Sequence, residues 1–168
     1  HTRRVRVTMP LTDQRYLLCF EAMVGARRSI GDGGRFVYDT RVGGGAYGSV
    51  HRAYDMHADV HGGTPSVVAI KEQPLFAHDE GVGVVVLREV AFLQHFKDWP
   101  HPNVALLIDV VVDARTVHLV LEYDERNLRE CMRVGGALHA AGTQDAGVRT
   151  SAAAQVFAGL AHMHAHKV

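Results

Sequence analysis

An α+β fold is predicted, with a five-stranded antiparallel sheet, one helix set among its strands and further helices after it. Three observations carry this. Short alternating or β-branched runs recur between Arg35 and Glu122, one helical period from Val84 to Phe96 interrupts them, and helical patterning takes over after Asn127. The chain has 168 residues, of which 47% are hydrophobic, enough for a real core. Lys and Arg total 18 and so do Asp and Glu, so no overall charge favours nucleic acid or an anionic membrane. No apolar run reaches the roughly 18 residues of a membrane span. Two cysteines fit a reducing compartment, cytoplasm or nucleus, better than a disulfide framework. The chain begins with His1, as expected for a piece of a longer protein, although Met9 could be a start.

Residues 1–34 read as an extension, partly flexible. Arg3, Arg4 and Arg6 make a basic arm, and Leu17, Leu18, Phe20, Met23 and Val24 suit a short amphipathic helix. Gly31-Asp32-Gly33-Gly34 then reads as a linker, so the globular unit is expected from Arg35. The next stretch, Val42-Gly43-Gly44-Gly45-Ala46-Tyr47-Gly48-Ser49-Val50, lies between two short alternating runs, Arg35 to Arg41 and Ser49 to Tyr54. Three glycines at this spacing also occur in dinucleotide sites and by chance. A dinucleotide fingerprint must open a helix, and strand patterning follows here instead. A Walker A loop needs Gly-Lys-Ser/Thr, which is missing. What remains is a glycine hairpin whose bare backbone can closely approach phosphates.

Asp59 to Pro65 reads as a turn, and the β-branched strand Val67-Val68-Ala69-Ile70 ends in Lys71. A lysine there can reach nucleotide phosphates beneath the glycine hairpin, or be an ordinary surface cation. Val86, Val90, Leu93 and Phe96 follow a helical period with Glu89 among them. A half-buried lysine that stays charged needs an anionic partner, and Glu89 is the candidate. Ala105 to Val112 and Thr116 to Glu122, separated by Asp113-Ala114-Arg115, read as a hairpin. Asn127 to Arg133 suggests a short helix with Leu128 and Met132 on one face, and a glycine-rich connection follows. Val148 to His166 suggests another, with a stripe of Ala152, Val156, Leu160 and Met163 and with Ser151 a candidate N-cap. His162, His164 and His166 alternate, so successive rings point about 200° apart and no metal site is expected.

Four stretches together resemble the first half of a protein kinase domain, nearest the cyclin-dependent kinase branch, from Phe36 to Val168. They are the glycine loop Val42 to Val50, the Val-Ala-Ile-Lys strand Val68 to Lys71, the run Glu80 to Glu89, and His101-Pro102-Asn103-Val104. The run Glu80 to Glu89 is similar to the family's Glu-Gly-Val followed by Pro-Ser-Thr-Ala-Ile-Arg-Glu. The resemblance implies a small lobe and hinge over 35–124, and the start of a large lobe over 125–168 that stops short of the catalytic loop.

Its implications are specific. Lys71 and Glu89 would be the catalytic pair, with Lys71 on the α- and β-phosphates of ATP and Glu89 orienting it. Val42, Gly43, Gly44, Gly45, Ala46, Tyr47, Gly48, Ser49 and Val50 would cover the nucleotide. Ala69 and Leu121 would line the base pocket, Glu122, Tyr123 and Asp124 would form the hinge, and Asn127 would lie near the ribose. Mg ligands would come from the His-Arg-Asp loop and the Asp-Phe-Gly motif, absent from these 168 residues, so this segment alone is expected to be inactive. Asp109, Asp113 and Asp124 lie in the wrong contexts to replace them. Tyr47 matches an inhibitory phosphotyrosine position, while Ala46 replaces the threonine beside it. Gly83, Val84 and Val85 depart from the family's Pro, Ser and Thr and make a poor helix start. The apolar run Val84 to Leu87 implies a cyclin-like partner. Two functions follow: a serine/threonine kinase whose complete domain transfers the γ-phosphate to protein hydroxyls, or an inactive partial kinase that binds nucleotide or a cyclin-like protein.

Overall fold

In a computed structural model of the chain, the residues described are 27–45, 48–57, 65–75, 83–132 and 146–166. The proposed amphipathic helix before Ala26, and Ala46 and Tyr47 of the glycine loop, lie outside them. The strands are β1 (Ser29–Ile30), β2 (Phe36–Gly45), β3 (Gly48–Asp55), β4 (Ser66–Pro74), β5 (Leu107–Val112) and β6 (Thr116–Glu122). The helices are α1 (Val84–Asp98), α2 (Leu128–Met132) and α3 (Ala146–Ala165). All strand pairings are antiparallel, in the order β1-β2-β3-β4-β6-β5. The five expected strands are present, and a two-residue sixth pairs Ser29 with Val37 and Ile30 with Phe36 at the edge. Two residues are too few for any periodicity to reveal. Arg27 reinforces the attachment by an ion pair to Asp39, and Arg28 by one to Glu72 at 2.6 Å.

Alternation along β4 sends Val68, Ile70 and Glu72 to one face of the sheet and Ala69, Lys71 and Gln73 to the other. On the first face Phe36, Tyr38, Ala53, Val68, Ile70 and Val120 form a buried core. On the second, Val86 of α1 packs with Leu107, Val117 and Leu119, flanked by Val90 and Leu93. The helical stripe read from the sequence is therefore the one that docks. The first turn of α1 is weak as expected: Gly83 caps it without a side-chain hydrogen bond, and the turn carries no acidic residue. Val84, Val85 and Leu87 are more than half exposed, whereas Val86 is buried.

Helix α3 begins at Ala146, so Ser151 lies inside it and accepts from Gln155 Nε2 at 3.4 Å instead of capping it. It docks by a face other than its aliphatic stripe. Gly159 is buried so closely that a Cβ there would lie 2.8 Å from the Asn103 carbonyl oxygen. One turn on, His162 Nε2 lies 2.9 Å from the Trp99 carbonyl oxygen and its ring stacks on His101. Val156, Phe157 and Leu160 remain exposed. His162 and His166, a full turn apart, share a face with ring centroids 4.6 Å apart. Among the described residues no group of histidine, cysteine or carboxylate side chains is arranged to hold a metal ion.

Candidate functional site

The site grows from the junction of β2, β3, β4 and α1. Lys71 pairs with Val50 of β3 and Leu119 of β6, so it stands mid-sheet on the face that α1 covers. Its Nζ donates to both carboxylate oxygens of Glu89, at 2.6 and 2.8 Å, across 18 residues of sequence. The two side chains are 25% and 29% exposed, so the pair is sheltered yet reachable from solvent. Such a pair contributes modestly to stability. Its chemical use is to hold an ammonium group in one place with hydrogen-bonding capacity toward an anion.

Glu89 has a second donor. Gln73, 2% exposed and two residues beyond Lys71 on the same face, donates from Nε2 to Glu89 Oε2 at 2.6 Å. Sequence reading passed over Gln73. The available signal was an amide at a position where strand alternation demands a core residue.

The glycines divide by role. Gly48 has φ +126°, and a Cβ on it would come within 1.8 Å of the Glu72 carbonyl oxygen, so the fold itself requires glycine there. At Gly45 a Cβ would meet nothing within 4 Å, and at Gly43 only an ordinary contact with Val50. Their missing side chains leave backbone bare rather than relieving a clash. Val42 is the extra residue of a bulge in β2, between the Arg41–His51 and Gly43–Val50 pairs, and is half exposed. Val50, Ala69 and Leu121 share the Lys71 face: Ala69 pairs with Leu121, and Lys71 with Val50. Ser49 points to the opposite face, where its hydroxyl donates to Glu72 Oε2 at 2.9 Å.

After β6 ends at Glu122, Tyr123 and Asp124 belong to no helix or strand. The Glu122 amide donates to the Leu106 carbonyl at 3.0 Å, tying the segment to the approach to β5. The Arg52 guanidinium lies 5.8 Å from the centre of the Tyr123 ring. Asn127 and Glu130 form a reciprocal capping box on α2: Asn127 Oδ1 accepts from the Glu130 amide at 2.9 Å, and Glu130 Oε2 faces the Asn127 amide at 3.4 Å. This cap, which sequence reading missed although the Asn-x-x-Glu spacing was its available signal, engages the side chain of Asn127, the residue expected near the ribose.

The Glu72, Asp113 and Arg35 networks belong to the opposite face. Glu72 accepts from Ser49 and from Tyr38, whose hydroxyl also lies 2.9 Å from His118 Nδ1. His118 is fully buried, and its Nε2 donates to Asp113 at 2.9 Å. Burial alone would raise the Glu72 carboxyl, but bonds from Ser49 and Tyr38 and the Arg28 and His51 charges hold it below the usual range. Asp113 is brought to about 2, first by the Arg115 amide and then by His118. Burial pushes Tyr38 up, and the Glu72 bond adds to this. Arg35 grips Asp55 with two bonds, of 2.7 and 2.8 Å, and reaches Asp109 at 3.1 Å. Asp109 and Asp113 are thus engaged in holding the sheet together.

Comparison with known proteins agrees with this arrangement. The family model described as protein kinase domain matches residues 36–168. Curated relatives include three proteins of Trypanosoma brucei brucei. Cell division control protein 2 homolog 3 is 31% identical over 127 residues, covering 76% of this chain and 36% of the relative. Homolog 1 is 33% identical over 114 residues, covering 67% and 35%, and homolog 2 is 35% identical over 104 residues, covering 58% and 28%. The chain therefore spans about a third of the length of the curated relatives it matches. With the family matched from Phe36 onward and relatives of the kind its motifs resemble, the chain belongs to the protein kinase domain family.

Proposed function

We propose that this chain is the nucleotide-holding part of a serine/threonine protein kinase of cyclin-dependent type, whose complete domain transfers the γ-phosphate of Mg-ATP to protein hydroxyls. The carrying observation is Lys71 Nζ held by both oxygens of Glu89, on a strand where Lys71 pairs with Val50, itself the partner of the bare Gly43 on the next strand. Lys71 would reach the α- and β-phosphate oxygens, with Glu89 fixing its direction. Val42, Val50, Ala69 and Leu121 would enclose the base, and the backbone from Glu122 to Asp124 would meet its edge. ATP supplies the transferable phosphoryl group when bound. By the same family resemblance the Mg ligands are assigned to the His-Arg-Asp and Asp-Phe-Gly segments of a complete domain, so this segment alone is expected to be inactive. Tyr47 is proposed as a phosphorylation position over the nucleotide, and a reducing compartment, cytoplasm or nucleus, as the location.

Mg-ATP should raise the thermal midpoint of the chain in proportion to the logarithm of its concentration. Lys71→Met should weaken nucleotide binding roughly tenfold or more, the scale of lost hydrogen bonds to a charged group, with little change in unfolding free energy. Equal affinity in the two proteins would sink this reading. The second reading, a binding module without turnover, is favoured by the exposed Val84, Val85 and Leu87 on the first turn of α1, a surface suited to a cyclin-like partner.

A further inference from the structure

The Lys71–Glu89 pair joins a strand to a helix, and an ion pair one-quarter exposed is a weak fastening for a helix. The first turn of α1 adds little, being uncapped and rich in exposed valine. Gln73 acts from beneath. It is buried among the strands, opposite Val117 of β6, with its amide aimed at Glu89. A carboxylate can only accept, so the amide nitrogen must be the end that faces it. The other end, Oε1, finds no donor among the described residues. A leucine here would bury no polar atom and would suit the surrounding core, so packing alone does not explain a glutamine. Its one hydrogen bond reaches the carboxylate that aims Lys71.

We propose that Gln73 is a positioning residue: its buried amide pins Glu89, and with it α1, over Lys71, so that the ion pair is formed before nucleotide or any partner arrives. The functional consequence rests on the nucleotide reading above; the pinning itself does not. Of the three hydrogen bonds that Glu89 oxygens accept among the described residues, two come from a lysine on a long flexible stem and one from an amide buried in the core. The buried donor gives the carboxylate a fixed orientation that a lysine on a flexible stem does not.

The test compares amide hydrogen exchange in the nucleotide-free chain with Gln73→Leu and Gln73→Glu, reading α1 against β4 and β6. With Gln73→Leu, α1 amides should exchange roughly tenfold faster or more, the scale of a hydrogen bond to a charged group. The sheet amides should stay unchanged or slow. Gln73→Glu sets two carboxylates face to face and should release α1 further. A merely structural glutamine would behave oppositely, leaving α1 protection equal or higher in Gln73→Leu, and that result overturns the proposal. In spectra of the Gln73 side-chain amide, Glu89→Ala should move the bonded proton upfield; a resonance indifferent to Glu89→Ala also overturns it. Failure of the unaltered chain to bind Mg-ATP would sink the nucleotide reading alone, since every readout here is taken without nucleotide.

Discussion

Lys71 and Glu72 are neighbours in sequence and opposites in use, because alternation along β4 sends them to different faces of the sheet. Glu72 enters a closed network in which Ser49, Tyr38, Arg28 and His51 surround its two oxygens. Among the described residues the Lys71 side chain is hydrogen-bonded to Glu89, and a quarter of it remains open to solvent. A charge with all its partners inside the protein supports the fold. A charge with capacity left over can serve a ligand.

The sharpest way to break this division is to damage one face and watch the other. Ile70→Ala removes a fully buried side chain from the Glu72 face and should cost about 2–5 kcal/mol in denaturant unfolding. Below its transition, nucleotide affinity should match that of the unaltered protein; a parallel loss would show the faces to be coupled. Glu72→Ala should cost about 1–3 kcal/mol, because the Tyr38 and Ser49 hydroxyls and Arg28 lose their shared acceptor. It should leave nucleotide binding nearly intact, the reverse of Lys71→Met, and an equal loss of binding in the two variants would dissolve the contrast.

The smallest effect is a pH dependence. Asp39, Asp55 and Glu72 all sit below their ordinary values. In each, burial pulls the carboxyl upward and is outweighed by bonds from arginine, hydroxyl or backbone donors. A depressed folded value means that the unfolded chain binds more protons, so stability rises with pH through this range. The contribution is complete above the unfolded values of 3.8 and 4.5 and is lost as pH falls through the lower folded ones, with Asp113 last at about 2. Acid titration of Glu72→Ala should show a shallower loss below about pH 4.5. An unchanged slope would remove Glu72 from the network.

Much of this was legible in the residues. The helical stripe of α1, the paired strands around Asp113-Ala114-Arg115 and the Lys71–Glu89 partnership follow from periodicity and from the need of a sheltered cation for an anion. The exposed aliphatic stripe of α3 also follows, since its period identifies an apolar face whether or not anything covers it. The docking face of the same helix does not follow, because Gly159 and His162 are neither apolar nor periodic in a way that marks burial. They matter only because Asn103 and Trp99 come close.

The sequence by itself determined which chemical groups this protein can bring to bear: a glycine-rich strand turn, a lysine on a β-branched strand and a helical glutamate, in the order of the protein kinase family. Those properties depend on residue type and local spacing, which a chain carries before it folds. Only the tertiary structure decided that Gln73 reaches Glu89 across 16 residues, that Gly48 is required by the Glu72 carbonyl, and that Tyr38 and Ser49 both meet the Glu72 carboxylate. Hydrogen bonds between distant residues depend on strand register and on the depth at which a helix sits. Neither is set within any single element, because each depends on how the elements pack together.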